Sequence, residues 1–241
     1  HHLYHVPSFV LYANPTTEAV WDFVGNRKSR KILASEPVWV YNEEKSERKR
    51  TMAREFELKF AADETRQDAI ARQFAGFQTI RMETTYFDTP DGALSAHRMT
   101  LRLRKENDAT VCTLKTPLPD GSRGEWETPC QEITLALEQL CRLGAPRELL
   151  AYRQLIPVCG AKFTRQAKVL EIPGATVELA LDEGVLLGRG KELPFAEVEV
   201  ELKSGREEAA TAFAEALAAE FALIPEPKSK VQRALELANQ T

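Results

Sequence analysis

Residues 197–202 read Glu-Val-Glu-Val-Glu-Leu, and few folds accept such a segment. Strict alternation is the period of a β-strand, so Glu197, Glu199 and Glu201 share one face and Val198, Val200 and Leu202 the other. Carboxylates two positions apart repel one another, and nothing adjacent in sequence relieves them. Glu55 to Phe60 repeats the pattern, with Glu55, Glu57 and Lys59 against Phe56, Leu58 and Phe60. It returns in Leu101–Arg104, Thr113–Lys115, Glu125–Glu127 and Val177–Asp182. An antiparallel sheet with one face in water also alternates, but such faces usually mix Thr, Ser, Gln and Lys. Here they are almost purely charged, with acidic strands (Glu55/Glu57, Glu197/Glu199/Glu201) separate from basic ones (Arg102/Arg104, Lys115).

Closing the sheet into a barrel resolves the conflict. The charged faces turn inward to line a cavity, and the apolar faces turn outward to meet a layer of helices. Carboxylate oxygens suit hard divalent cations such as Mg²⁺ or Mn²⁺. Arginine and lysine suit phosphate oxygens. A lining that holds both is chemically matched to a short polyphosphate bridged to metal, and would be costly to bury without one. An apolar-ligand carrier of the lipocalin kind is excluded, because its cavity would have to be apolar.

Helices are expected over Asp63–Phe74, with Asp63 as N-cap, and over 134–156, with interruptions at Gly144 and Pro146. Two more are expected over Arg206–Phe221, with Phe213, Leu217 and Phe221 on one stripe, and over Val231–Ala238. The charged run Asn42–Arg50 marks a boundary, and Met52 reads as a natural start. The expected organisation is residues 1–51 as an extension, fusion or tag segment of unknown role and 52–241 as the barrel domain. A net charge of −4 argues against a general nucleic-acid binder. The four cysteines contain no C-x-x-C pair, and Cys112 shares the apolar face with Leu114. With no long apolar run and no signal-peptide pattern, the expected location is the cytoplasm.

The chain resembles the CYTH family, or triphosphate tunnel metalloenzymes. Glu55-Phe56-Glu57-Leu58-Lys59 matches the signature E-x-E-x-K. Further matches follow in the family's order: Tyr86 to Pro90, Leu101 to Arg104, Thr113 to Lys115, Arg123 with Glu125 and Glu127, Lys162 with Arg165, Glu178 with Asp182, Glu197 to Glu201, and Ser229-Lys230. Within the family the likeness is to bacterial inorganic triphosphatases, which often carry a helical CHAD domain after this one. The segment departs at Ala234-Leu235, where relatives often have Gly-Tyr, and this bears on the closing of the last helix.

The resemblance implies an α+β fold, an antiparallel eight-stranded barrel forming a tunnel with flanking helices. It implies metal-dependent hydrolysis of inorganic triphosphate. Lys59, Arg102, Arg104, Lys115, Arg165 and Lys230 would hold the phosphates. Glu55, Glu57, Glu197, Glu199, Glu201 and Asp182 would hold Mg²⁺ or Mn²⁺. Lys59 and Glu57 are the residues expected closest to the chemistry, with Glu127 and Glu178 orienting basic side chains. The expected partner is a small-molecule triphosphate, with neither nucleic acid nor membrane. A class IV adenylate cyclase and a thiamine triphosphatase stay open as related alternatives. Trp126, between Glu125 and Glu127, is expected to point outward rather than into a thiamine site. A non-catalytic polyphosphate-binding module is the alternative of another class.

Overall fold

The computed structural model describes residues 21–24, 27–30, 53, 54 and 56–240, apart from 119–122 and 153. The chain divides into two units, His1–Arg50 and Thr51–Thr241. In the first, strand β1 (Trp21–Val24) pairs antiparallel with β2 (Arg27–Arg30). The second unit carries everything that follows.

Its strands are β3 (Ala53–Arg54), β4 (Glu57–Ala61), β5 (Gln78–Asp88), β6 (Thr100–Glu106), β7 (Ala109–Pro117), β8 (Arg123–Pro129), β9 (Ile156–Ile172), β10 (Ala175–Gly188), β11 (Lys191–Gly205) and β12 (Ile224–Pro225). They form one antiparallel sheet in the order β12-β4-β11-β10-β9-β5-β6-β7-β8-β3. The two ends of this sheet meet through the chain itself. β3 pairs with β8, β4 pairs with β11, and only residues 55 and 56 separate them. Three peptide steps span at most about 10 Å, so β3 and β4 are two halves of one strand that turns the sheet into a barrel. With those halves joined and the two-residue β12 set aside, eight strands go round.

The register is consistent with a closed barrel. The face that carries Glu197, Glu199 and Glu201 passes through Asp182 and Arg165 to Thr84, Arg104, Thr113 and Glu127. Beyond Glu125, β8 pairs with β3, the segment that leads into β4. One face is therefore shared from β4 through β11, β10, β9, β5, β6 and β7 to β8.

The outer face supplies the cores. Phe60, Val198, Val200, Leu179 and Leu181 pack with Ile70 of α1 (Glu64–Phe74) and Ala210, Ala214 and Leu217 of α4 (Glu207–Phe221). On the other side Leu101, Cys112, Leu114 and Trp126 pack with Ala136, Leu137 and Leu140 of α3 (Ile133–Arg142) and with Leu149 of a short 3-10 turn. Each fully buried aliphatic side chain contributes roughly 1.5–3 kcal/mol. The helices thus hold the strands from outside, leaving the inside to polar groups. Asp63 caps α1 by accepting from the Arg66 amide at 2.9 Å, as its position before the helix predicts.

The short α2 (Ala93–Ala96) owes its place to Asp88, a buried carboxylate that accepts from the amides of Thr89, Leu94 and Ser95 at 2.7, 2.8 and 3.1 Å. The Tyr86–Pro90 motif is thus structural at its aspartate. The last helix, α5 (Lys230–Asn239), packs on β9, β10 and β11. Its Ala234 joins the inward-facing Met82, Phe163, Leu186 and Phe195, so α5 plugs one end of the barrel. Alanine at 234 leaves this helix intact, and its backbone lies close against Gly188. Among the described residues no helix is long and apolar enough to cross a membrane.

Candidate functional site

In a ring of eight, strands four places apart face each other, so β11 faces β6 and β10 faces β7. The acidic wall of β4, β10 and β11 therefore stands opposite the basic wall of β6 and β7. Both follow from period-two alternation. β11 brings Glu197, Glu199 and Glu201 inward, β10 brings Glu178 and Asp182, and β6 and β7 bring Arg102, Arg104 and Lys115.

The deep part of the acidic wall is the most densely charged place among the described residues. Asp182, Glu197 and Glu199 are buried and offer one oxygen each within 4.8 Å of one another. Lys230, the first residue of α5, enters this triangle. Its Nζ lies 2.7 Å from Asp182 and 2.8 Å from Glu199 and also donates to Glu197. Arg165 makes two 2.7 Å bonds to Asp182 and a third to Glu199, with Glu178 at 3.8 Å. Arg233 donates to Glu197 and stands 3.8 Å from Glu226.

Burial alone would lower the Lys230 ammonium, but Glu199, Asp182 and Glu197 hold it above its ordinary range. Arg165 is raised in the same way, against burial, by Glu199 and Asp182. Burial would push Glu199 up, yet Lys230 and Arg165 keep its carboxyl well below the usual range. Glu197 goes the other way, raised by complete burial and then by its neighbour Glu199, despite Lys230 and Arg233.

Nearer the mouth the carboxylates are more open. Glu57 and Glu201 are direct cross-strand partners whose side chains keep 27% and 32% of their surface exposed. Lys59 approaches Glu57 at 3.5 Å, and Lys203 approaches Glu201 at 2.9 Å and Glu178 at 3.7 Å. Like charges facing one another across a ladder are destabilising, and carboxylate oxygens at such a pair suit a hard divalent cation. The donor set therefore fits Mg²⁺ or Mn²⁺. Glu55 lies outside the described residues.

The basic wall is less purely basic than its sequence suggests. Glu125 sits between Arg102 and Lys115, at 3.8 and 3.7 Å. Glu127 accepts from Thr113 at 3.1 Å, and Glu178 faces Arg165 at 3.8 Å. Arg104 is buried with an Nε bond to Thr84 at 3.0 Å, and its nearest carboxylate is Glu106 at 3.9 Å. Burial, then the neighbouring Arg102, pulls its guanidinium down to about 10. Lys162 is at an even position, on the outer face, and pairs with Glu83 at 3.1 Å. It lies away from Arg165, with which the family motif groups it.

Two features had little sequence signal. The floor is aromatic, with Phe163 and Phe195 edge to face at 5.6 Å. Lys230, Arg104 and Arg165 lie 5.1–6.0 Å from the Phe163 ring, and Arg233 lies 5.4 Å from Phe195. Their π faces steady cations that are largely withdrawn from water. Arg233, the second, stands one turn after Lys230 on α5, and that i, i+3 spacing could have marked it as a site residue.

Comparison with known proteins agrees with this geometry. The model of the CYTH domain matches residues 53–235. An inorganic triphosphatase of Haemophilus influenzae is 30% identical over 198 residues, covering 78% of this chain and 56% of its own length. The chain thus spans little more than half of that relative. Among solved structures, the bh2851 protein of Bacillus halodurans superposes with a TM-score of 0.54 at 26% identity, covering 74% of this chain and 96% of its own. The PH1819 protein of Pyrococcus horikoshii OT3 gives 0.54 at 25%, covering 76% and 99%.

Proposed function

Because the chain belongs to the CYTH family, we propose that residues 52–241 form a domain that hydrolyses inorganic triphosphate to pyrophosphate and phosphate inside the barrel, using Mg²⁺ or Mn²⁺. The observation that carries this reading is the opposition of the two walls, carboxylates on β4, β10 and β11 facing guanidinium and ammonium groups on β6 and β7. The inorganic triphosphatase at 30% identity supports the substrate.

In this mechanism Arg102, Arg104 and Lys115 bind the phosphate chain from one side, and Lys59 binds it from the other. Their positive charge opposes the negative charge that spreads over the transferred group. Arg165 and Lys230, already held by carboxylates, present fixed positive charge at the deep end. Glu55, Glu57, Glu199 and Glu201 would hold the divalent ion, which would supply charge neutralisation and activation of the attacking water. Glu197 and Asp182 keep Lys230, Arg165 and Arg233 in place. The aromatic floor and α5 exclude bulk water from that end. The proposed substrate is a small molecule, with neither nucleic acid nor membrane involved, and the proposed setting is the cytoplasm.

The test is phosphate release from triphosphate, ATP, thiamine triphosphate and pyrophosphate in parallel, each with Mg²⁺, Mn²⁺ or chelator. Metal-dependent release from triphosphate well above the others is expected, and Glu57→Gln should lower it by about 100-fold or more, at the upper end of what disturbing a metal site costs. Equal release with and without chelator would remove the metal from the mechanism. Preference for ATP or thiamine triphosphate would reassign the substrate.

A further inference from the structure

Behind the acidic wall, on the outer side of the barrel, one polar side chain is buried among apolar ones. Gln67 of α1 is 5% exposed and lies three residues before Ile70, which sits in the core of Val198, Leu181 and Leu217. Its amide nitrogen is 3.0 Å from the carbonyl oxygen of Asp182 and 3.1 Å from that of Glu197. Those residues are direct cross-strand partners on β10 and β11. They are also two of the three whose side chains, on the opposite face, hold Lys230. Since both contacts are carbonyl oxygens, only the NH₂ end of the amide can face them, and each of its two hydrogens reaches one strand.

We infer that Gln67 is a positioning residue, bracketing β10 and β11 from outside so that Asp182 and Glu197 hold Lys230 and Arg165 in register with the phosphate. The need for such a bracket is electrostatic. Asp182, Glu197 and Glu199 repel one another across adjacent strands, while Lys230, Arg165 and Arg233 pull on the same groups from three directions. A ladder held only by its own hydrogen bonds has less to resist that load. A side chain that grips both carbonyls at this one cross-strand pair resists it without adding charge. An apolar residue at 67 would satisfy the core equally well, so packing does not account for glutamine. This inference rests on the proposed phosphate-binding role of Lys230 and Arg165.

The experiment compares Gln67→Met, which keeps length and removes both donors, with Ile70→Val, a packing control on the same helix. Hydrogen exchange of peptides covering 180–184 and 195–199 is measured in each, together with thermal stability and steady-state triphosphate turnover with Mg²⁺. Gln67→Met should speed exchange in both peptides beyond the control and raise KM for triphosphate about tenfold, as loss of a supporting hydrogen-bond layer typically does. Gln67→Asn, too short to reach both carbonyls, should behave like Gln67→Met. Equal exchange and an unchanged KM in Gln67→Met, with only a loss of melting temperature, would overturn the inference and leave Gln67 a core residue. If the wild type does not cleave triphosphate, the proposed function falls. The exchange data, which need no substrate, then still decide whether Gln67 holds the two strands.

Discussion

Arg104 and Arg165 lie in the same barrel, both stack near Phe163, and the same replacement should move stability in opposite directions. Arg104 is buried and its guanidinium is pulled below its ordinary range to about 10. At about 1.4 kcal/mol per tenfold change, that corresponds to roughly 3 kcal/mol of cost for keeping it charged in the empty protein. Replacing it with methionine removes that cost but also the bond to Thr84 and the contact with Phe163, together about 2 kcal/mol. The expected result is a gain of about 1 kcal/mol, or about 2–4 °C for a domain of this size.

Arg165→Met is different, because Asp182 and Glu199 would lose one of their two buried cations and be left with Lys230 alone, which Glu197 also shares. Breaking a buried pair in this way costs about 3–5 kcal/mol. The assay is thermal unfolding of wild type, Arg104→Met and Arg165→Met at neutral pH, with and without triphosphate. Arg104→Met should melt no lower than wild type yet lose most of the stabilisation that triphosphate confers. If instead Arg104→Met is as unstable as Arg165→Met, the buried guanidinium is satisfied by the fold, and the idea that it is held ready for an anion is wrong.

Acid should weaken the domain through Glu199. Its folded value lies below the ordinary 4.5, so its stabilisation is present above about pH 4.5 and is lost as pH falls through the folded value. Glu197 is raised, so its contribution runs oppositely, complete below 4.5 and fading as pH rises through its folded value. Glu199→Gln should therefore lower stability at neutral pH and flatten the acid limb in chemical denaturation from pH 3 to 7, whereas an unchanged limb would count against the pairing. Gly188→Ala should loosen α5, because a Cβ there would meet backbone atoms of Ala238 and Ala234 at 2.6 and 2.8 Å. Turnover should drop with most β structure retained by circular dichroism, and unchanged turnover would refute delivery of Lys230 by α5. Trp126→Leu should cost about 2–4 kcal/mol on denaturation and leave the ranking of phosphate substrates as it was, while a changed ranking would put Trp126 in a substrate site.

The inner face was legible because strand periodicity is a local property. Once Glu197, Glu199 and Glu201 alternate with valine, a single register decides which way all three point. The same parity rule places Lys162 outside and Arg165 inside, and it settles Trp126 among the outer apolar residues. The helices of the outer layer, α1, α3 and α4, fall close to where capping, glycine and alanine-rich spacing put them. What the sequence could not show depends on contacts far apart along the chain. Phe163 and Phe195 look like ordinary strand residues until α5 closes over them. Gln67 looks like one polar position on an amphipathic helix until two carbonyls from distant strands converge on it. The apparent segregation of charge weakened for a similar reason, since Glu125 comes between Arg102 and Lys115 only when β6, β7 and β8 pair.

The split strand that completes the barrel also sets the timetable of folding. β4 pairs with β11, where Glu57 meets Glu201, 144 positions later in the chain. A ribosome has therefore emitted nearly the whole domain before its opening strand can find that neighbour. Until then the nascent β4 exposes Leu58 and Phe60 with an unpaired edge, the condition under which strands associate with the wrong partner. Contacts of such long sequence separation are entropically slow to form. The hairpins β6–β7–β8 and β9–β10–β11 can assemble earlier from local pairings, leaving closure of the ring as the late step.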